Sequence, residues 1–226
     1  MTSINGKKLQ FVRLEEDTPI SSFDCGDPDL NDFLQNDSKN YLKSMLAVTY
    51  LIMVEEEIAA YFCLSYDGLT RTTILTAEEK ALWNRVGRKI PNSKRRKTYP
   101  AVKIGRLAVA QQYAGFGIGR HIIDAVRIMY MFQPHHAGCR FVTVDAYRSA
   151  LSFYERNDFK YLNCTGYNYC AHVSKYSSIW RRNSSVNVFT ETALHSIHAS
   201  SKLFLFASLC TLSSETPLSR LTTAAI

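Results

Sequence analysis

The sequence predicts an α/β protein built around one sheet, and three observations predict that class. An apolar run over residues 101–110 reads as a buried strand and leads straight into a glycine-rich turn. That turn opens residues 118–131, in which Ile122, Ile123, Val126, Ile128 and Met129 recur at helical spacing. Two further strand-like runs, 139–146 and 159–162, flank a short helical stretch at 149–156. Alternation of this kind lays helices on a shared sheet.

The preceding elements follow from the same signals. Residues 9–14 read as a first strand, and residues 24–47 carry Leu30, Phe33, Leu34, Tyr41, Leu42 and Met45 at roughly helical spacing. Asp27 or Asp29 is the expected cap of that helix or helix pair. Residues 48–54 and 58–65 are apolar runs joined by Glu55, Glu56 and Glu57, which predicts a hairpin with a charged turn. Thr76 and Glu79 have capping-box spacing and open a short helix through Trp83 and Val86.

Composition excludes several classes. With 226 residues, 46% of them apolar, the chain is neither disordered nor a disulfide-dense miniprotein. The net charge of +7 is unevenly spread. Residues 1–80 hold seven basic and fourteen acidic side chains, whereas residues 81–100 hold seven basic and no acidic ones. No apolar run is long enough for a signal peptide or a membrane span, so a cytoplasmic protein without membrane contact is expected. The six cysteines show no CxxC pair; Cys63 and Cys139 read as small core residues, and Cys164 and Cys170 as a lone Cx5C. His135-His136 and His195/His198 lack a third ligand nearby, so no metal site is expected.

The character changes near residue 166. From Ala171 to Ile226, 18 of 56 residues are Ser or Thr, and neither structural period appears. The expected division is an α/β domain over 1–165 and a Ser/Thr-rich, poorly structured tail over 166–226. Its composition also suits non-native sequence, such as a shifted reading frame produces.

The chemistry concentrates in Gln112-Tyr-Ala-Gly115-Phe116-Gly117-Ile118-Gly119-Arg120. Glycines between a strand and a helix let successive N–H groups face one concavity, and the helix dipole adds positive potential there. A pyrophosphate is the ligand that wants this arrangement. A Walker loop is excluded because no Lys-Ser/Thr follows the last glycine, and GxGxxG is absent.

A second motif follows about 35 residues on, with Ala150, Phe153, Tyr154 and Phe159. The two in order resemble the GNAT superfamily of N-acetyltransferases, in which Q/R-x-x-G-x-G/A is followed by A-x-x-F-Y-x-x-x-G-F. The resemblance covers roughly residues 8–162. The opening, Phe23-Asp-Cys-Gly26 followed by Leu30-Asn-Asp-Phe33-Leu34, is similar to the compact branch that includes the TacT and AtaT toxin acetyltransferases.

The resemblance implies a mixed, mostly antiparallel sheet flanked by helices and splayed around the co-substrate acetyl-coenzyme A. The backbone of Leu107, Ala108 and Val109 would pair with pantetheine amides. Gln112 and the turn Gly115, Phe116, Gly117, Ile118, Gly119 and Arg120 would hold the pyrophosphate. Tyr154 matches the tyrosine that protonates the departing thiolate. Three features depart from the family pattern: Asp158 stands at the glycine of the N-G-F turn, Tyr147 stands seven residues before the tyrosine where Asn is frequent, and no final strand is evident after Leu162.

The resemblance implies a primary amine as acceptor, on a small molecule, a protein or an aminoacyl-tRNA. Residues 101–110 offer Lys103 and Arg106 but no carboxylate as base; Glu55–Glu57 read as a solvated turn and Asp145 as structural. An α-amino group of low pKa needs only water as its base. Lys94, Arg95, Arg96 and Lys97 suit either RNA phosphates or an acidic protein surface. A homodimer and an antitoxin-like partner are further expectations of the branch, and a non-catalytic acyl-coenzyme A binding module is the alternative to an enzyme.

Overall fold

The computed structural model describes residues 3–4, 7–70, 97–132, 138–165 and 169–175, with positions 77, 80, 81 and 84. Among the described residues eight strands form one sheet: β1 Ser3–Ile4, β2 Lys7–Arg13, β3 Val48–Val54, β4 Glu57–Thr70, β5 Thr98–Val109, β6 Phe141–Tyr147, β7 Lys160–Thr165 and β8 Tyr169–Lys175. Their spatial order is β1-β2-β3-β4-β5-β6-β8-β7. Every neighbouring pair is antiparallel except β5 and β6. The mixed, mostly antiparallel sheet with flanking helices is thus the predicted architecture.

β4 lies centrally, and Ile58 to Leu64 are buried on both faces, which is why they form a continuous apolar run without alternation. One face is covered by α3, Ile118–Phe132, and α4, Leu151–Arg156. Ile118, Ile122, Ile123 and Val126 of α3 pack there on Phe62, Leu64, Val102, Ile104, Val142 and Val144. The other face is covered by α1, Pro28–Asp32, a single π turn, Phe33–Asp37, and α2, Ser38–Lys43. Asp27 caps α1 by accepting from the Leu30 N–H at 3.2 Å, and Pro28 at the first helical position loses no bond. The π turn sinks Phe33 and Leu34 onto Leu51, Tyr61 and Ala108, each buried side chain contributing about 1.5–3 kcal/mol.

Two departures from the sequence reading follow from pairing. β5 begins at Thr98, three residues before the apolar run at 101–110, because it pairs with β4 from Thr70 opposite Thr98 onward. The larger correction concerns the final strand. Tyr169–Lys175 forms β8, inserted between β6 and β7, so the sheet is not left incomplete after Leu162 and continues past the expected boundary at 165. β8 has little apolar pattern of its own; bonding to a strand on each side holds it. The same hairpin register sets Cys164 opposite Cys170. The capping box Thr76/Glu79 with Trp83 and Val86, the basic residues 85–96, His135, His136, and the tail from 176 lie outside the described residues.

Candidate active site

The site begins as a fork between two strands. β5 pairs with β4 from Thr98 to Val109, and a bulge falls at Gly105, since Cys63 faces Arg106 while Leu64 faces Ile104. A Cβ on Gly105 would lie 3.1 Å from Cys63 Sγ, so the bulge packs tightly against β4. On its other edge β5 pairs with β6 only from Ala101/Phe141 to Ile104/Val144. Beyond that point β6 continues with β8, from Asp145 to Tyr147, and leaves the facing edge of Gly105–Val109 without a strand partner among the described residues. Bulges sharpen local twist, and this one sits where the strands part. Leu107, Ala108 and Val109 lie along this edge, where an added strand or an amide-bearing chain could pair.

The glycine turn closes one side of that fork. After a short 3-10 turn, Gln111–Tyr113, Gly115 and Gly117 adopt φ of 83° and 77°. L-residues disfavour these values, and an added Cβ at either position would meet nothing within 4 Å. The concavity is therefore open, and conformation is what demands glycine there. Helix α3 starts at Ile118, and His121 N donates to Gly117 O at 3.2 Å. The N–H groups of Ile118, Gly119 and Arg120 precede the first helical bond and face outward at the positive end of the dipole. Ile118 also anchors in the core, whereas Phe116 and Arg120 are exposed. Gly119 serves packing: a Cβ there would lie 3.0 Å from the Phe153 ring, so α3 and α4 approach closely at this point.

The turn is braced from two directions that sequence reasoning missed. Gln112 Nε2 donates to Glu57 Oε2 at 3.0 Å, and the Tyr113 hydroxyl donates to the same oxygen at 2.8 Å. The Gln112 side chain, expected at the pyrophosphate, is thus engaged with the β3–β4 hairpin. On the opposite side, Gln111 N donates to Asp24 O at 3.0 Å, and Gln111 Nε2 donates to Asp24 Oδ2 at 3.1 Å. Asp24 also accepts from Gly26 N and Asn31 Nδ2, each at 2.8 Å, and these donors, the Gly26 N–H first, hold its carboxyl below the usual range. The signal was present as Phe23-Asp-Cys-Gly26, whose physical task is to buttress the turn.

Tyr154 projects from α4 into the core on the α3 side and is 6% exposed. Its ring meets Phe153 and Phe159 edge-on at 5.0 and 5.3 Å. Burial pushes the phenol well above its ordinary range, so it stays protonated through neutral pH. A Schellman cap fixes the end of α4: Phe159 N donates to Tyr154 O at 3.1 Å and Asp158 N to Glu155 O at 3.0 Å. Asp158 fills the left-handed position with φ 63°, as a residue standing in for glycine must. Arg127 of α3, 3% exposed, donates through Nη2 to Asn157 O in the same cap. Helix α3 and the tyrosine helix are therefore tied together by a buried guanidinium.

The remaining polar candidates are dispersed. Lys103 pairs with Asp145, Lys7 pairs with Glu55 at 2.9 Å, and the Arg106 guanidinium lies 3.8 Å from the Phe33 ring centroid. Lys97 is exposed, while Lys94, Arg95 and Arg96 lie outside the described residues. Among the described residues no three His, Cys, Asp or Glu side chains group as a metal site, and no helix is long and apolar enough to cross a membrane.

Comparison with known proteins agrees with this geometry. Residues 71–161 match the family model of the acetyltransferase (GNAT) domain. Among solved structures the chain is similar to AtaT complexed with acetyl-methionyl-tRNAfMet, with TM-score 0.60 and 22% identity over 76% of this chain and 98% of that one. A tyrosine-to-phenylalanine mutant of KacT gives the same TM-score of 0.60 and identity of 22% over the same 76% and 98%. AtaTR bound with AcCoA aligns with TM-score 0.59 and 22% identity over 76% and 96%. At such identities these likenesses speak for the fold. No curated protein sequence matches. Fold and family match together define an acyltransferase, the match to the acetyltransferase (GNAT) domain lying over residues 71–161. Its fold is similar to those of AtaT and KacT.

Proposed function

We propose that this chain is an N-acetyltransferase that moves an acetyl group from acetyl-coenzyme A to a primary amine. The observation that carries the reading is the fork between β5 and β6 beside the glycine turn. Its residues fit the co-substrate: an unpaired strand edge suits the pantetheine amides, and the open concavity at Gly115 and Gly117 suits a diphosphate at a helix start. Acetyl-coenzyme A supplies an activated thioester, and the protein supplies orientation and a proton. Leu107 to Val109 align the pantetheine arm. The N–H groups from Gly115 to Arg120 hold the diphosphate, with Asp24 and Glu57 steadying them from behind. The neutral Tyr154 hydroxyl gives its proton to sulfur as the C–S bond breaks and the C–N bond forms.

Calorimetric titration with acetyl-coenzyme A, combined with thiol release over a panel of amines, tests this. Tyr154→Phe is expected to lower kcat by about 10²-fold with unchanged affinity for acetyl-coenzyme A. Unchanged turnover removes Tyr154 from the mechanism, and absence of binding heat removes the reading.

A second, finer reading is that the amine belongs to an aminoacyl-tRNA and the chain acts as a toxin, held in check by an antitoxin-like partner. The fold likeness to AtaT, whose structure holds acetyl-methionyl-tRNA, supports it, as does the basic run Lys94, Arg95, Arg96 and Lys97. Expression should then arrest growth and leave acetylated aminoacyl-tRNA detectable by mass spectrometry. Neutralising the four basic residues should relieve the arrest, and growth arrest that survives neutralisation would exclude them as an RNA contact.

A further inference from the structure

Beside the fork, the sheet face opposite α3 carries a row of polar side chains from β4, β5 and β6. Val102 and Ile104 of β5 and Val142 and Val144 of β6 turn toward α3. The alternating residues Lys103, Thr143 and Asp145 therefore turn the other way. Thr143 donates to Asp67 of β4, and Lys103 donates to Asp145. Lys103 and Thr143 are cross-strand partners, and Asp145 is the first residue of β6 beyond the last pair with β5. Its carboxylate thus stands at the mouth of the fork. The Lys103 and Asp145 side chains are 31% and 47% exposed, so solvent reaches the pair. Within the row two carboxylates, Asp67 and Asp145, meet one ammonium, and the Arg106 guanidinium on the same face lies over the Phe33 ring.

Helices α3 and α4 fill the other face, whereas α1 and α2 on this face pack on Leu51, Tyr61 and Ala108 and leave Lys103 and Asp145 open to solvent, so a second substrate meets a thioester held in the fork from the side of this row. We propose that Asp145 is the positioning carboxylate for the acceptor, and that Lys103 occupies it in the acceptor's absence. The inference rests on the acetyltransfer reading above. An incoming primary ammonium displaces Lys103 Nζ from Asp145 and is held there by an N–H···O contact. It then releases one proton to water, and the neutral amine still has an N–H to donate to Asp145. Its lone pair forms the C–N bond as the C–S bond breaks and Tyr154 protonates the sulfur. A second nitrogen proton returns through water to the phenolate, so one proton is released per turnover. The row selects an acceptor presented as a primary ammonium and rejects quaternary ammonium, which has no N–H to offer.

The two partners of this ion pair should shift the acceptor KM in opposite directions. With bulk aminoacyl-tRNA and a short peptide bearing a free α-amino group as acceptors, Asp145→Asn should raise the acceptor KM about tenfold or more, the loss of one charge-assisted contact. Lys103→Met removes the competitor and should lower that KM several-fold, with the KM for acetyl-coenzyme A unchanged in both. A pair that only ties β5 to β6 moves both variants the same way, with lower melting temperatures, and that outcome overturns the proposal. A readout free of turnover accompanies the kinetics. Titration with ethylammonium chloride should move the carboxyl carbon resonance of Asp145 saturably, and tetramethylammonium should not; no shift with ethylammonium overturns the proposal. Failure of the acetyltransfer reading is seen separately, as no heat with acetyl-coenzyme A.

Discussion

Asp158 stands where the A-x-x-F-Y-x-x-x-G-F pattern has glycine, and its φ of 63° is a conformation glycine adopts at less cost. On backbone grounds alone Asp158→Gly should stabilise by about 1 kcal/mol. Electrostatics oppose that gain. Burial lowers the pKa of the Arg127 guanidinium, and the carboxylates of Asp124 and Asp158 raise it back. Removing one counter-charge from a buried cation costs several kcal/mol in a full pair break. Arg127 keeps Asp124 at 3.4 Å, so the loss is smaller. The balance predicts that Asp158→Gly destabilises by about 1–2 kcal/mol, measured as a lower urea midpoint. Introduced into an Arg127→Met background, the same change should stabilise instead. A double-mutant cycle with no coupling would show that the carboxylate does nothing for the guanidinium.

At the scale of elements, the glycine turn is braced from two directions, and its glycines answer two different constraints. Gly115 and Gly117 need their backbone angles, with open space around a Cβ, so alanine there costs about 1–2 kcal/mol in conformation without a clash. Gly119 has ordinary angles but no room: a methyl group would press on two Phe153 ring atoms at 3.0 and 3.2 Å. Gly119→Ala should therefore push α4 away from α3, costing about 1–3 kcal/mol and lowering kcat through Tyr154, the neighbour of Phe153. Pairing it with Phe153→Leu should recover stability, which thermal melts would report; no recovery would mean that the clash lies elsewhere. The turn and α3 were legible in the sequence because local period and glycine spacing specify them, whereas Tyr154 stood out only through the resemblance to the GNAT pattern. The brace was not, since Asp24 and Gln111 lie 87 residues apart and only the fold brings them together. Nor were β8 and the fork, because both are properties of which strands pair: seven residues with weak apolar pattern become a strand only between two neighbours.

For the whole molecule, the sheet has two cores that share β4 and are sealed by buried aromatic side chains on each face. Tyr61 lies on the α1 side, fully buried, with its hydroxyl donating to Leu30 O at 2.6 Å. Tyr130 and Tyr154 lie on the α3 side. Burial is the first cause that raises all three phenols above their ordinary range. A group whose folded pKa is raised binds its proton more tightly in the folded state. Its stabilising contribution is complete below the unfolded pKa, near 10 for tyrosine, and fades as pH rises toward the folded value. The expectation is a protein whose stability holds through neutral pH and falls above about pH 10, with both faces losing support over the same interval. Phenolate absorbance followed together with far-ultraviolet circular dichroism reads this directly. The buried phenols should ionise only as the dichroism collapses. Phe substitutions assign each step: removing Tyr61 should subtract from the amplitude of that cooperative transition, as should removing Tyr154. A buried phenol that titrates while the dichroism is intact would mean that its face of the sheet admits water, and for Tyr154 it would set an alkaline limit on proton donation to the thiolate well before unfolding.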